Sequence, residues 1–485
     1  MSNYRTPGVY VEEISKFPPS VAAVETAIPA FIGYTRLTSY QGNTLLNRPV
    51  KIKSLVEYEA VFGARLETFT VAVNTLNGGT PTEQNVIDTA PVAPAPFNFR
   101  MYYALQHYFS NGGGPCYVCS VGADSGALAL VNFQNGLAAI GREDEPTLLL
   151  FPDAVGLSNG DFYTLMQDSL SQCNTLQDRF ALVDVFNGNL DYTAVGGTDV
   201  INATQAGDTF TGLREGVGTN NLKYGAAYYP WLETLFTYNY DEAAVTVTGT
   251  LNNAAVPGSM VLRNNEPGEE ANSLYHQAND LYHTIKDQIT AMPIILPPSA
   301  AVAGIYAAVD RDRGVWKAPA NVSVRAIKRP SVAIDSASQE DLNVTTSGKS
   351  VNAIRSFTGK GHLVWGARTL AGNDNEWRYV PVRRFFNMVE ESVKKASEGF
   401  VFEPNDAGTW NKIRAMIENF LTLQWRAGAL AGAKPEDAFY VRVGLGQTMT
   451  SLDVLEGRMI VEIGMAAVRP AEFIILRFSH KMQES

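Results

Sequence analysis

The chain has 485 residues, more than one hydrophobic core usually organises, so two or three domains are expected. Charged residues are only 18% and the net charge is −11, which excludes a general nucleic-acid binder, since that function needs a basic footprint. Three cysteines are too few for a disulfide framework, no apolar stretch reaches transmembrane length, and the start MSNYRTPGVYVEE has no basic segment followed by an apolar one. Synthesis in the bacterial cytoplasm without a signal peptide, and no direct membrane insertion, are expected.

Residues 1–24 read as an arm. Pro7-Gly8 punctuates the chain, Val9, Tyr10 and Val11 alternate as a short strand, and Pro18-Pro19 stops it. Such an isolated strand needs a sheet to join. Residues 25–344 read as an α/β domain. The runs Cys116–Val121, Thr147–Phe151 and Phe180–Val185 are apolar enough for buried strands, and helical stretches such as Asp161–Gln172 lie between them. Buried strands alternating with helices imply a parallel or mixed sheet covered on both faces. Residues 188–220 and 240–272 are rich in Gly, Asn and Thr and read as long surface excursions, a surface insertion around 188–272.

From about 345 to 470 the texture is that of a compact α+β domain. Arg384–Ala396 predicts an amphipathic helix with Phe386, Val389, Val393 and Ala396 on one stripe, and Glu390/Lys394 and Glu391/Lys395 as i,i+4 pairs. Thr409 is placed to cap a second helix to about Ala427, with Trp410, Ile413, Ile417, Phe420 and Leu421 as its stripe. Strands are expected at Phe439–Val443, Arg458–Ile463 and Phe473–Phe478. Residues 471–485 form a second arm, and Phe473-Ile474-Ile475-Leu476-Arg477-Phe478 is apolar on both faces, which demands burial on both.

Motifs with chemical meaning fare poorly. Gly348-Lys349-Ser350 lacks the glycine five positions earlier that a phosphate loop needs, since Asn343 stands there. Cys116 and Cys119 have half a zinc site's spacing, but on a strand they face opposite ways, and Cys173 has no partner at ligand spacing. The five histidines show no ligand pairing, and Asp310-Arg311-Asp312-Arg313 reads as a solvated or intersubunit ion network rather than a calcium loop. No GxSxG or GTS-type serine turn accompanies His362 in GKGHLVW. No catalytic residue, metal or cofactor is expected.

Several long segments instead resemble contractile tail sheath proteins. These are YRTPGVYVEEISKFPPSVAAVETAIPAFIGYT at Tyr4–Thr35, AGIYAAVDRDRGVWKAPAN at Ala303–Asn321, VWGARTL at Val364–Leu370, EWRYVPVRRFFNMVEESVKKASEGF from Glu376, and FIILRF at the end. The N-terminal run looks most like sheaths of phage-like extracellular contractile injection systems, with phage tails close behind. The Asn343–Gly348 turn departs from the pattern, which has a shorter, proline-containing loop there.

The resemblance implies a multidomain α/β and α+β fold. Its outer α/β domain would be subtilisin-like in architecture without catalysis, and the α+β C-terminal domain would lie innermost. It also implies a structural subunit that polymerises as stacked sixfold rings around an inner tube protein, contacts baseplate and terminal cap proteins and sheath paralogues, and contracts to drive the tube through an envelope. The particle would be released by lysis. Strand exchange between copies would use Val9, Tyr10 and Val11 at one end and Phe473, Ile474, Ile475, Leu476 and Phe478 at the other. Tube-contact candidates are Lys394, Lys395, Lys412, Arg414 and Arg426, with solvated helix faces as the equal alternative. Other readings are a baseplate-proximal or terminal-ring paralogue and a vestigial serine hydrolase.

Overall fold

The computed structural model describes residues 21–74, 99–194, 198–204, 210–251 and 254–476. The described residues fall into two compact units, one within 25–387 and 469–476 and one within 21–24 and 388–468. It is a mixed α/β multidomain fold.

The larger unit is built on a nine-stranded sheet. Its strands are β1 (Pro29–Thr35), β2 (Val50–Ile52), β3 (Cys116–Ala123), β4 (Leu148–Leu150), β5 (Phe180–Asp184), β6 (Gly225–Tyr229), β7 (Val322–Ser323), β8 (Val351–Phe357) and β9 (Gly361–Val364). Their order is β7-β9-β8-β6-β5-β4-β1-β3-β2. The run from β8 to β3 is parallel, and β2, β9 and β7 close its edges antiparallel. Every residue of β1 is buried, as a central parallel strand requires. Its side chains alternate between two cores: Ala30, Ile32 and Tyr34 enter one, Phe31 the other. Cys116 and Cys119 divide in the same way, so they are buried thiols on opposite faces, and burial raises the pKa of each.

Helices cover both faces. On the Ile32 side lie α2 (Leu130–Ile140) and α3 (Asn159–Leu176), with Phe133, Leu137, Phe162, Leu165 and Met166 in the core. On the Phe31 side lie α1 (Met101–Ser110) and α4 (Ser299–Arg313), with Leu105, Tyr108, Ala301, Ile305 and Tyr306. The last two pack closely because Gly304 has no side chain: a Cβ there would sit 2.5 Å from the Tyr108 carbonyl oxygen.

The glycine-, asparagine- and threonine-rich stretches are more than surface excursions. Val200, Ile201, Leu213 and Val217 join the Ile32-side core. Val245, Val247, Met260 and Leu262 build a third core with Val71, Val73 and the helix Asn279–Ala291. The strand Thr246–Leu251 pairs in parallel with Thr70–Asn74, which precedes it by far in sequence. The polar residues of this stretch mask an apolar alternation that only this distant partner makes meaningful.

Helix α5 (Val380–Ser397) runs across the division between the units, whose boundary falls at 387/388. In the smaller unit α6 (Ala407–Arg426) buries Ile413, Met416, Ile417, Phe420 and Leu421. Its cap is Asp406, which accepts from the Thr409 amide at 2.9 Å; Thr409 itself is buried one turn in, and Trp410 is only half-buried. Strands β10 (Phe439–Arg442) and β11 (Glu462–Met465) form an antiparallel ribbon, the latter starting later than the expected Arg458.

Candidate assembly surfaces

The expected arm residues Val9, Tyr10, Val11 and Phe478 lie outside the described residues. The rest of the C-terminal run is described, and its conformation differs from expectation. Among the described residues Phe473, Ile474, Ile475 and Leu476 join no strand, and they are 70%, 79%, 77% and 72% exposed. A chain buries such a run wherever it has a partner for it; here none is at hand among the described residues.

The residue before this run is firmly held. Glu472 receives the Nε and Nη2 of Arg368, the former at 2.8 Å, and the Tyr379 hydroxyl at 3.3 Å. The Nη1 of Arg368 donates to the Asn343 carbonyl at 3.1 Å. Arg368 is itself fixed by Asn352, whose side chain accepts from its amide at 2.8 Å and donates to its carbonyl at 2.8 Å. The Arg368 side chain is 4% exposed. Burial works against its charge, yet the Glu472 hydrogen bonds and the carboxylate's charge together outweigh it and raise the guanidinium pKa above its ordinary value.

A second buried pair lies where the chain enters β1. The Arg384 guanidinium grips Asp310 with Nη1 at 3.0 Å, donates to the Thr26 carbonyl at 2.9 Å, and sits over the Tyr306 ring at 4.5 Å. The Thr26 hydroxyl donates to Asp310 at 2.6 Å. Asp310 is therefore an internal ion-pair partner rather than part of a solvated network; only Arg311 and Asp312 pair with each other at the surface. Sequence reasoning missed both arginines. The available signal was a lone acid, Glu472, directly before an apolar run.

The basic candidates separate by environment. Lys394, Lys412 and Arg426 are exposed. Lys395 pairs with Glu391 at 2.6 Å, and Glu391 is buried rather than on the solvent-exposed side where such a helix pair is expected. Arg414 donates to the Val443 carbonyl at 2.6 Å, binding α6 to the chain after β10.

The enzymatic readings meet specific geometry. Ser356 and His362 face each other across β8 and β9, with Oγ to Nδ1 at 2.8 Å. The other ring nitrogen meets the Lys328 carbonyl at 3.0 Å, where a hydrolytic triad has an acid. The carboxyl ends of parallel strands are the usual ligand crevice of α/β sheets. Here Asp153 and Asp184 fill that position. Asp153 accepts from the Tyr34 and Met101 amides at 2.7 and 3.0 Å, and Asp184 accepts from the Ser299 amide and hydroxyl at 3.0 and 2.6 Å. They thereby satisfy amides at the starts of α1 and α4. Burial raises Asp153 to about 6 and Asp184 to about 7 against those hydrogen bonds, and lowers the neighbouring Arg100 to about 10. Lys349 of the GKS is buried and donates to the Arg214 carbonyl. Among the described residues no cluster of potential metal ligands occurs and no helix is long and apolar enough to cross a membrane.

The family described as Phage tail sheath C-terminal domain matches residues 372–481. A chain of the anti-feeding prophage helical sheath in its contracted state is 31% identical, with 99% of this chain and 100% of that one covered and a TM-score of 0.63. This chain belongs to the contractile tail sheath family. A chain of the anti-feeding prophage baseplate is similarly related, at 30% identity, 99% and 100% coverage and a TM-score of 0.61. The tail sheath protein of Burkholderia phage BcepMu is 30% identical over 155 residues, which span 31% of this chain and 32% of that protein. Its relatives in the sheath family are structural proteins of phage tails and contractile injection systems.

Proposed function

We propose that the chain is the repeating subunit of a contractile sheath, stacked as sixfold rings around an inner tube and driving that tube through a target envelope on contraction. The likeness over the whole chain to a sheath in its contracted state carries this reading. The exposed run Phe473–Leu476 supports it, because a strand of this composition is stable only with a partner, and identical copies supply one by adding it to an open sheet edge. The ribbon β10–β11 is the kind of acceptor required: two strands alone are marginal, and no third strand joins them among the described residues. The N-terminal arm, with Val9, Tyr10 and Val11, serves a neighbouring copy in the same manner. The smaller unit contributes the tube-facing surface, with the exposed Lys394, Lys412 and Arg426 as the leading candidates and Lys395 and Arg414 secondary.

Negative-stain microscopy of the purified chain tests the reading. Wide hollow tubes are expected, and co-assembly around tube protein when that is added. Monomers under both conditions would overturn it. The baseplate relative supports a second reading, a baseplate-proximal sheath paralogue. Single rings that never extend, even with tube protein, would select it.

A further inference from the structure

We infer that the Arg368–Glu472 pair is a register pin for the C-terminal arm, holding the chain at residue 472 so that the apolar run presents one defined set of side chains to the copy it pairs with. The inference rests on the sheath reading above. The run itself does not define its own register. Side chains alternate along a strand, so a slip of one residue exchanges Phe473 and Ile475 for Ile474 and Leu476. Where only one face is apolar, the sequence pattern forbids that slip; where both are apolar it does not. Arg477 is the first polar residue of the run, too late to define its start.

The structure places the missing constraint immediately before the run. Among the described residues Glu472 is the last with a polar partner, and Arg368 offers it two parallel donors, a fork geometry that fixes direction as well as distance. Tyr379 holds the same carboxylate, and Asn343 and Asn352 hold Arg368. A buried ion pair contributes little net stability, because desolvation offsets its attraction; specifying geometry is the better-attested use. The abrupt change from the clamped Glu472 to the exposed Phe473 puts the pin at the first position where register is undefined.

The test uses insertions in the full-length chain between Glu472 and Phe473, which leave the body and the pin untouched. One inserted alanine reverses the faces of the arm; two restore them. The pin predicts that the single insertion raises the concentration needed for tube formation about tenfold or more, while the double insertion recovers most of the loss. Adding Glu472→Gln should abolish the difference between one and two insertions, with the melting temperature of the body measured alongside. Equal assembly by the two insertions with Glu472 intact would overturn the pin. A chain lacking 471–485 separates the readings: if it still builds tubes, the strand-exchange reading fails and the pin with it; if it does not, equal insertions condemn the pin alone.

Discussion

Strand β1 and the run Phe473–Leu476 are both apolar on both faces, yet one is buried along its whole length and the other is largely exposed. The difference is one of partners. β1 is hydrogen-bonded on both edges, to β3 and β4, and its two faces fill separate cores. The C-terminal run has the same requirement, and no strand among the described residues meets it. A two-faced apolar segment thus states how many surfaces must cover it and leaves open which molecule provides them.

Mutations can break this comparison. The largest effect is expected from deleting 471–485 or 1–20: tubes disappear in negative stain while the melting transition of the body persists. Tubes of normal appearance from either truncation would remove the arms from assembly. Phe31→Ala should destabilise the body by ~3–5 kcal/mol in denaturant unfolding, because Phe31 is fully buried. Ile475→Ala should change that stability by less than ~0.5 kcal/mol, as at any exposed site, while raising the concentration at which tubes form. A reversed order of the two would mean that the run packs on its own body.

The pH response sharpens the contrast, since the body holds buried carboxyls and the run Phe473–Leu476 holds none. Asp184 rises from 3.8 to about 7 and Asp153 from 3.8 to about 6, both chiefly through burial. Between these limits the folded chain binds more protons than the unfolded one. Their contribution to stability is therefore complete below about pH 4 and is lost as pH rises through 6 to 7. Asp184→Asn should flatten that decline in thermal melts recorded from pH 4 to 8; an unchanged slope would show that Asp184 does not titrate there. The smallest effects belong to single surface cations. Charge reversal at Lys412 or Arg426 should weaken co-pelleting with tube protein by ~0.2–1 kcal/mol each and leave melting unaltered. Arg414→Ala should instead lower the melting temperature, because it removes the hydrogen bond to the Val443 carbonyl.

The alternation of buried strands and helices in the larger unit was legible because long apolar runs such as Phe180–Val185 have few other uses. The third core was not, because Val245 and Val247 acquire meaning only beside Thr70–Asn74, far away in sequence. The α6 start was misread by one turn, since Thr409 and Asp406 are both competent caps and only the amide direction distinguishes them. The Arg368–Glu472 and Arg384–Asp310 pairs were invisible for a similar reason: a charged residue looks alike on a surface and in a buried pair until its partner is known.

By itself the sequence determined the family, the mixed α/β character and the two-faced apolar terminus. Those follow from local composition and ordered motifs, which survive without coordinates. Tertiary structure alone decided which arginine meets which carboxylate, which cations are exposed, and that Phe473–Leu476 finds no strand partner among the described residues. These depend on distances between residues remote in sequence, and hydrogen bonds and ion pairs act only over such distances once the chain has closed them.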